Sequence, residues 1–433
     1  MNLTLDAPVQ HVAEVALRDS FKGRPGAMGA VVVMDTHNGD VLALASEPCL
    51  DPNDWVGGLP QPLWALAQRK SHGLPLLNKV TAGTYPPGSV FKVVSICAAL
   101  ETTDVTQQST AYCTGKITVG RRREPFKCWT SDRGGHGTVN LLEAIAKSCN
   151  IFFYQCVLQH NLDPDAIADY ARRFGLSSPT DLWRLDDPAG ASQHTEATAA
   201  AARGEVGGQV PSAKLLTATG QPWHQGNSLN FVIGQDRLMV TPIQMCVVSA
   251  AIANGGQLLK PNLVRRVRWP AYMHRSDTEH LLGRSRPLNV KPETLEIVRH
   301  GMRLAVVGEH GTAGFLKDLP ISSAGKTGSA QHVPDEPTHA WFIGYAPYDP
   351  KPGERQYAIC VFVATGGTGG ETAVPVADRV YRAVFGLSDP QDPRYALPAA
   401  LDPAAAAAQK RVRVAAAEKE LAVESASPAN PAR

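Results

Sequence analysis

Apolar residues change their spacing several times along the chain, and each change marks an element. Val9, Val12, Ala13, Ala16 and Leu17 recur on one helical face behind Thr4 or Asp6 as a cap, which predicts a helix within residues 2–20. Ala30-Val31-Val32-Val33-Met34, a turn holding Asn38-Gly39, and Val41-Leu42-Ala43-Leu44 together spell a β-hairpin over 26–46. Helical spacing follows at 63–69, in the apolar run after Ser89, and at 141–158, 164–174, 242–254 and 292–307. Asn254-Gly255-Gly256 is a stop signal for the helix before it. Short apolar runs at 322–331, 340–346 and 357–364, separated by turn-rich connections, predict an antiparallel meander. Joined to the early hairpin, they make a five-stranded, mainly antiparallel sheet with helices packed on it, an α+β fold.

Other stretches resist this reading. Little periodic pattern exists over 101–140, and 262–290 is polar. From 181 to 228 the chain dissolves into Gly, Pro, Ala, Thr and Gln, the composition of a mobile lid or insertion. After Leu387 it turns to Pro, Ala and mixed charges without an apolar stripe, so 388–433 is expected to be a disordered tail.

With 433 residues, 43% hydrophobic and 19% charged, the chain has the make-up of a globular protein. A net charge of +2, with no basic stripe beyond Arg121-Arg122-Arg123, argues against nucleic-acid binding. No run of eighteen apolar residues exists, and Asp6 and Pro8 interrupt any signal core at the start. The protein is therefore expected either to be cytosolic or to lack an upstream export or anchor segment.

The chemistry centres on Thr84-Tyr85-Pro86-Pro87-Gly88-Ser89-Val90-Phe91-Lys92. Two prolines and a glycine stop the chain, and an apolar helix begins behind them. Ser89 then falls in its first turn, near the positive end of the dipole, with Lys92 one turn on. A desolvated lysine loses its charge and becomes a base for the serine hydroxyl. Two further stations follow: Ser148-Cys149-Asn150, fifty-nine residues on, and Lys326-Thr327-Gly328-Ser329 on the first meander strand. Ser148 is placed to pass a proton, Asn150 to hold a peptide amide, and Lys326 and Thr327 to bind a carboxylate. Gly328 lets a ligand approach the strand, and the N–H groups of Ser89 and Ser329 would form an oxyanion hole.

In this order and spacing, the three stations resemble the penicillin-binding protein and serine β-lactamase superfamily. Gly135-His136-Gly137, Ile233-Gly234-Gln235, Thr241-Pro242-Ile243-Gln244-Met245 and His339-Ala340-Trp341-Phe342-Ile343-Gly344 narrow the likeness to monofunctional class B transpeptidases of the penicillin-binding protein 2 type, over about Leu3 to Leu387. The resemblance implies a transpeptidase domain over 1–387, with an all-helical subdomain beside the sheet. It implies a peptidoglycan D,D-transpeptidase of cell elongation that forms a serine acyl-enzyme on a stem peptide, releases D-alanine and is acylated by β-lactams. It also implies a SEDS-type glycosyltransferase partner, met through an N-terminal region missing from this chain, and a site of action in the periplasm or at the outer face of the inner membrane, anchored by an N-terminal helix that this chain lacks. The alternatives are a β-lactamase or D,D-carboxypeptidase, and a non-catalytic β-lactam sensor. Where the family carries glycine after Ile233-Gly234-Gln235, this chain has Asp236.

Cys113, Cys128, His136 and Cys149 are separated by fourteen, seven and twelve residues. Three thiolates and an imidazole suit a closed tetrahedral zinc site, and homologues of the type can carry zinc at the matching place. A Cys113–Cys128 disulfide and plain core packing of Cys149 are the competing readings. Cys49, Cys97, Cys156, Cys246 and Cys360 have no such grouping and are expected in the core.

Overall fold

Gly29–Asp35 (β1) is buried at all seven positions, so its valines have no solvent face and must sit inside a covered sheet. In the computed structural model, which describes residues 1–21, 23–120, 124–182, 204–269, 272, 278–279, 285–333, 335–388, 392–393, 396–397 and 402–426, that sheet has five strands. Val41–Glu47 (β2) forms the hairpin with β1, and Ala324–Ala330 (β3), His339–Ala346 (β4) and Tyr357–Val363 (β5) form the meander. All neighbours are antiparallel, in the order β3-β4-β5-β1-β2, so the last strand joins the first.

Alternate β1 side chains enter different cores. Val31 and Val33 pack with Ala7–Ser20 (α1) and Val374–Val384 (α11), while Val32 and Met34 face the larger core. At the centre of the latter lies Pro242–Ala253 (α9), buried at all twelve positions and packed on β1, β4 and β5. Thr241 and Gln244 close its start with a capping box, and Asp6 caps α1. Gln61–Ala67 (α2), Lys92–Thr102 (α3), Pro164–Arg173 (α6) and Pro292–Val307 (α10) lie close to the expected places.

Three expectations need correction. Residues 141–158 are not one helix: Leu141–Ala146 (α4) stops, Ser148 adopts φ +55°, and Asn150–Leu158 (α5) begins anew. Within the expected lid at 181–228, residues 183–203 lie outside those described, but 204–228 are built into the fold. Buried Glu205 accepts hydrogen bonds from the backbone and hydroxyl of Thr180, Thr81 Oγ1 donates to Gly204 O, and helices Ala213–Ala218 (α7) and Gln225–Val232 (α8) follow. Caps and polar contacts hold most of this stretch, and α8 is pinned at its end by Leu229, Phe231 and Val232 in the larger core. The third concerns the tail, where Pro403–Ala426 (α12) is a helix against α2 and the segment Pro52–Trp55. Arg413 forks onto the buried Asp54 carboxylate and also reaches Asp51, and Lys410 Nζ donates to Val56 O and Gly58 O. An ionic anchor leaves no apolar stripe to read. Cys49 is exposed, while Cys97, Cys156, Cys246 and Cys360 are buried as expected.

The polar stretches carry small sheets. Thr110–Cys113 pairs with Gly137–Asn140, and Lys116–Ile117 pairs with Phe126–Lys127, which brings distant cysteines together. Val264–Val267 pairs with Asn2–Leu3.

Candidate active site

Ser89 is the half-exposed member of a buried turn. Tyr85 and Val240 exchange both backbone hydrogen bonds, Trp341 Nε1 donates to Pro86 O at 3.0 Å, and Gly88 N donates to Gly234 O at 2.8 Å. Gly88 has φ +55°, and a Cβ there would meet Ser329 O at 2.8 Å. Gly234 has φ +79°, and its Cβ would fall 2.1 Å from Gly88 O. The two glycines let the Ser89 turn press between α8 and β3. Asp236, two residues on, holds φ +69°, a conformation glycine takes freely and Asp tolerates better than most. A 3₁₀ turn, Gly88–Phe91, then feeds α3, so Lys92 opens the α-helix proper. Trp341 and His339 are buried packing residues, and Trp341 positions Pro86.

Lys92 is fully buried, and desolvation lowers its pKa to about 8 against the pull of the nearby thiols. Its Nζ donates to Asn150 Oδ1 at 2.6 Å, to Ser148 O at 2.9 Å and to Ser148 Oγ at 3.4 Å. The left-handed backbone at Ser148 turns that carbonyl and hydroxyl toward the amine. The Asn150 Nδ2 donates to Lys127 O, so the amide bridges the lysine to the cysteine-bearing loop.

On β3, Lys326 is also fully buried, and desolvation with the charge of Lys92 holds its pKa well below the usual lysine range. A Cβ on Gly328 would touch Val90 and Pro87 O at 3.0 and 3.1 Å, so it is the Ser89 turn that approaches this strand closely. Thr327 Oγ1 donates to Thr312 Oγ1 at 2.7 Å, and Thr312 in turn bonds Ala146 O. The structure thus brings Ser89, Ser148, Asn150, Thr327, Gly328 and Ser329 onto one cleft of about 500 Å³, with Lys92 and Lys326 buried behind its wall. Trp129, Arg133, Thr312, Thr368, Gly369, Gly370 and Glu371 also line it. Sequence reasoning missed these; the Gly- and Thr-rich run 365–370 after β5 was the one visible signal.

Beside the cleft, one donor atom from each of Cys113, Cys128, His136 and Cys149 lies within 4.8 Å of the others. His136 Nδ1 sits 3.5 and 3.6 Å from the sulfurs of Cys113 and Cys128. A ZnS₃N tetrahedron with Zn–S near 2.3 Å has edges of about 3.5–3.8 Å, so the donors fit such an ion. All eight cysteines are free, and a hydrogen bond from Cys149 holds the Cys128 thiol well below its ordinary range. Asn150 N donates to Cys128 Sγ at 3.3 Å, tying the cluster to the start of α5. Cys128 and His136 also bracket the segment that delivers Trp129 and Arg133 to the cleft.

A sheet covered by helices on both faces, with a serine on a buried lysine helix between a Ser-x-Asn bend and a Lys-Thr-Gly strand, defines the serine acyl-transfer class. The family described as the penicillin binding protein transpeptidase domain matches residues 29–382, and the chain belongs to it. Among the relatives, the peptidoglycan D,D-transpeptidase PbpA of Mycobacterium tuberculosis is 30% identical over 401 residues, covering 89% of this chain and 72% of PbpA. The structure of Pseudomonas aeruginosa PBP2 is similar with a TM-score of 0.71 at 29% identity, over 92% of this chain and 77% of that one. A chain from a peptidoglycan synthase complex matches with a TM-score of 0.73 at 30% identity, over 90% of this chain and 63% of that one.

Proposed function

We propose that the protein is a peptidoglycan D,D-transpeptidase, with Ser89 as nucleophile and Lys92 as its base. The carrying observation is the cleft itself: a half-exposed serine one turn from a fully buried lysine whose pKa lies near 8, between Ser148–Asn150 and Lys326–Ser329. Neutral Lys92 takes the hydroxyl proton as Ser89 Oγ attacks the carbonyl of the penultimate D-alanine. The N–H groups of Ser89 and Ser329 stabilise the oxyanion. Ser148 then carries the proton to the nitrogen of the departing D-alanine, whose carboxylate is held by Lys326 and Thr327. Asn150 holds Lys92 and faces the substrate amide, and an amine from a second stem peptide resolves the ester. β-Lactams acylate the same serine.

Cys113, Cys128, His136 and Cys149 fit a structural zinc ion, which would fasten the 128–136 segment to the start of α5 and take no part in the acyl transfer. The relatives are cell-wall enzymes, and among the described residues no helix is long and apolar enough to cross a membrane. The reading places the domain outside the cytoplasm, in the periplasm, working with a SEDS-type glycosyltransferase; the likeness to a chain from a peptidoglycan synthase complex that coordinates polymerization and crosslinking supports a polymerising partner of some kind.

Labelling with a fluorescent penicillin tests the reading. Wild type should label stoichiometrically and hold the label for hours, and Ser89→Ala should not label. Equal labelling of Ser89→Ala would refute the assignment of the nucleophile, and rapid loss of label would favour a β-lactamase. Release of D-alanine without crosslinks, in an assay with polymeric substrate, would favour a carboxypeptidase, and neither product a sensor.

A further inference from the structure

The acyl-transfer steps leave two charges in the cleft without a task. Arg133 enters from the segment between Cys128 and His136, and its guanidinium has no hydrogen bond or ion pair among the described residues. Glu371 enters from the turn after β5, where it is held in place: Thr368 Oγ1 donates to Glu371 Oε2 at 2.7 Å, and Glu371 N donates back to Thr368 Oγ1. That turn is seated on the catalytic strand, since a Cβ on Gly369 would fall 2.2 Å from Trp341 O and 2.7 Å from Gly328 O.

One cation and one anion in the same cleft suit a ligand carrying both charges. The donor's terminal carboxylate is already met by Lys326 and Thr327, and it leaves with D-alanine. The remaining substrate is the resolving amine, an ammonium ion at neutral pH. A bare ammonium gains from Glu371 and loses to Arg133, whereas an ammonium beside a carboxylate gains from both. We propose that Arg133 and Glu371 select the acceptor, and that the accepted amine sits on a carbon that also bears a carboxylate.

Arg133 takes the carboxylate and Glu371 the ammonium. The ammonium gives one proton to solvent, and the freed nitrogen attacks the Ser89 ester carbon. The C–N bond forms as the C–Oγ bond breaks, and the second nitrogen proton passes through Ser148 and Lys92 to restore the Ser89 hydroxyl. Both residues are therefore specificity-determining, and the inference rests on the transpeptidase reading.

The test acylates the protein with a D-alanyl thioester donor and measures how the acyl-enzyme partitions between water and two amines, D-alanine and D-alaninamide. The amide keeps the amine and lacks the carboxylate. Each solvent-exposed charge is expected to matter about fivefold. Arg133→Ala should cut the preference for D-alanine over D-alaninamide about fivefold, through the acceptor KM, with the donor acylation rate unmoved and Arg133→Lys restoring part of the preference. Glu371→Gln should raise the KM for both amines. An unmoved preference in Arg133→Ala overturns the proposal, as does a loss confined to donor acylation or a wild type that is acylated yet resolved by neither amine. A wild type that the donor and penicillin both fail to acylate instead refutes the transpeptidase reading.

Discussion

Burial of Lys92 has a kinetic consequence that pH can expose. An ordinary lysine, with a pKa of 10.5, is neutral in about one molecule in 3,000 at pH 7. At about 8, where desolvation places Lys92, about one in ten is neutral, a gain of about three hundredfold in competent base. Only the neutral amine can accept the Ser89 proton, so acylation is slow at low pH and rises as the proton is lost. The second-order rate constant for a fluorescent penicillin, measured at constant ionic strength from pH 6.0 to 9.5, should climb about tenfold per pH unit below pH 7.5, bend near 8 and then level off. A flat profile over that range would remove Lys92 as the base. A profile still climbing tenfold per unit at pH 9.5 would mean an unperturbed amine and refute the desolvation argument.

Other perturbations probe the supports of the site. Protein purified without chelators should carry about one zinc ion per chain by elemental analysis, and Cys128→Ser should lose it along with several degrees of thermal stability; a metal-free wild type with an unchanged transition would end the zinc assignment. Gly234→Ala puts a methyl 2.1 Å from Gly88 O at φ +79°, so urea unfolding should show a loss of about 2–4 kcal/mol and penicillin labelling should fall steeply. Wild-type stability in that variant would mean that the Gly88–Gly234 contact is not as tight as described. Arg413→Ala strands the buried Asp54 carboxylate, at a cost of about 1–3 kcal/mol given that Arg413 is itself part-exposed. Trypsin should then cut α12 faster while labelling is kept, and an unchanged cleavage rate would count against the docked helix.

The strands and most helices were legible because apolar period alone decides them: β1 and α9 are buried wherever the sequence is apolar. The three stations were legible as motifs. What periodicity could not show was the break at Ser148, since 141–158 is apolar on both sides of it and only the contact with Lys92 calls for φ +55° there. Thr312 was invisible for a similar reason. It follows α10, in a stretch with no motif, and reaches the site only through its bonds to Thr327 and Ala146. Arg133 and Glu371 sit in loops whose position is set by the cysteine cluster and by the contact of Gly369 with β3, both long-range facts. The α12 anchor failed to show because it is ionic, and ion pairs between residues 54 and 413 have no local signature.

The order of strands in the main sheet also bears on when the domain becomes active. β1 pairs on one side with β5, so Val32 waits for Cys360. The strand with Lys326 reaches the hairpin only through β4 and β5. Closing a loop of more than three hundred residues is slow compared with local folding. The serine and its lysine lie early in the chain, yet the strand that completes their cleft, and the two that hold it, come last. A ribosome-bound chain therefore carries Ser89 and Lys92 without the strand that walls their cleft, and the cleft stays open on that side until the C-terminal third has arrived.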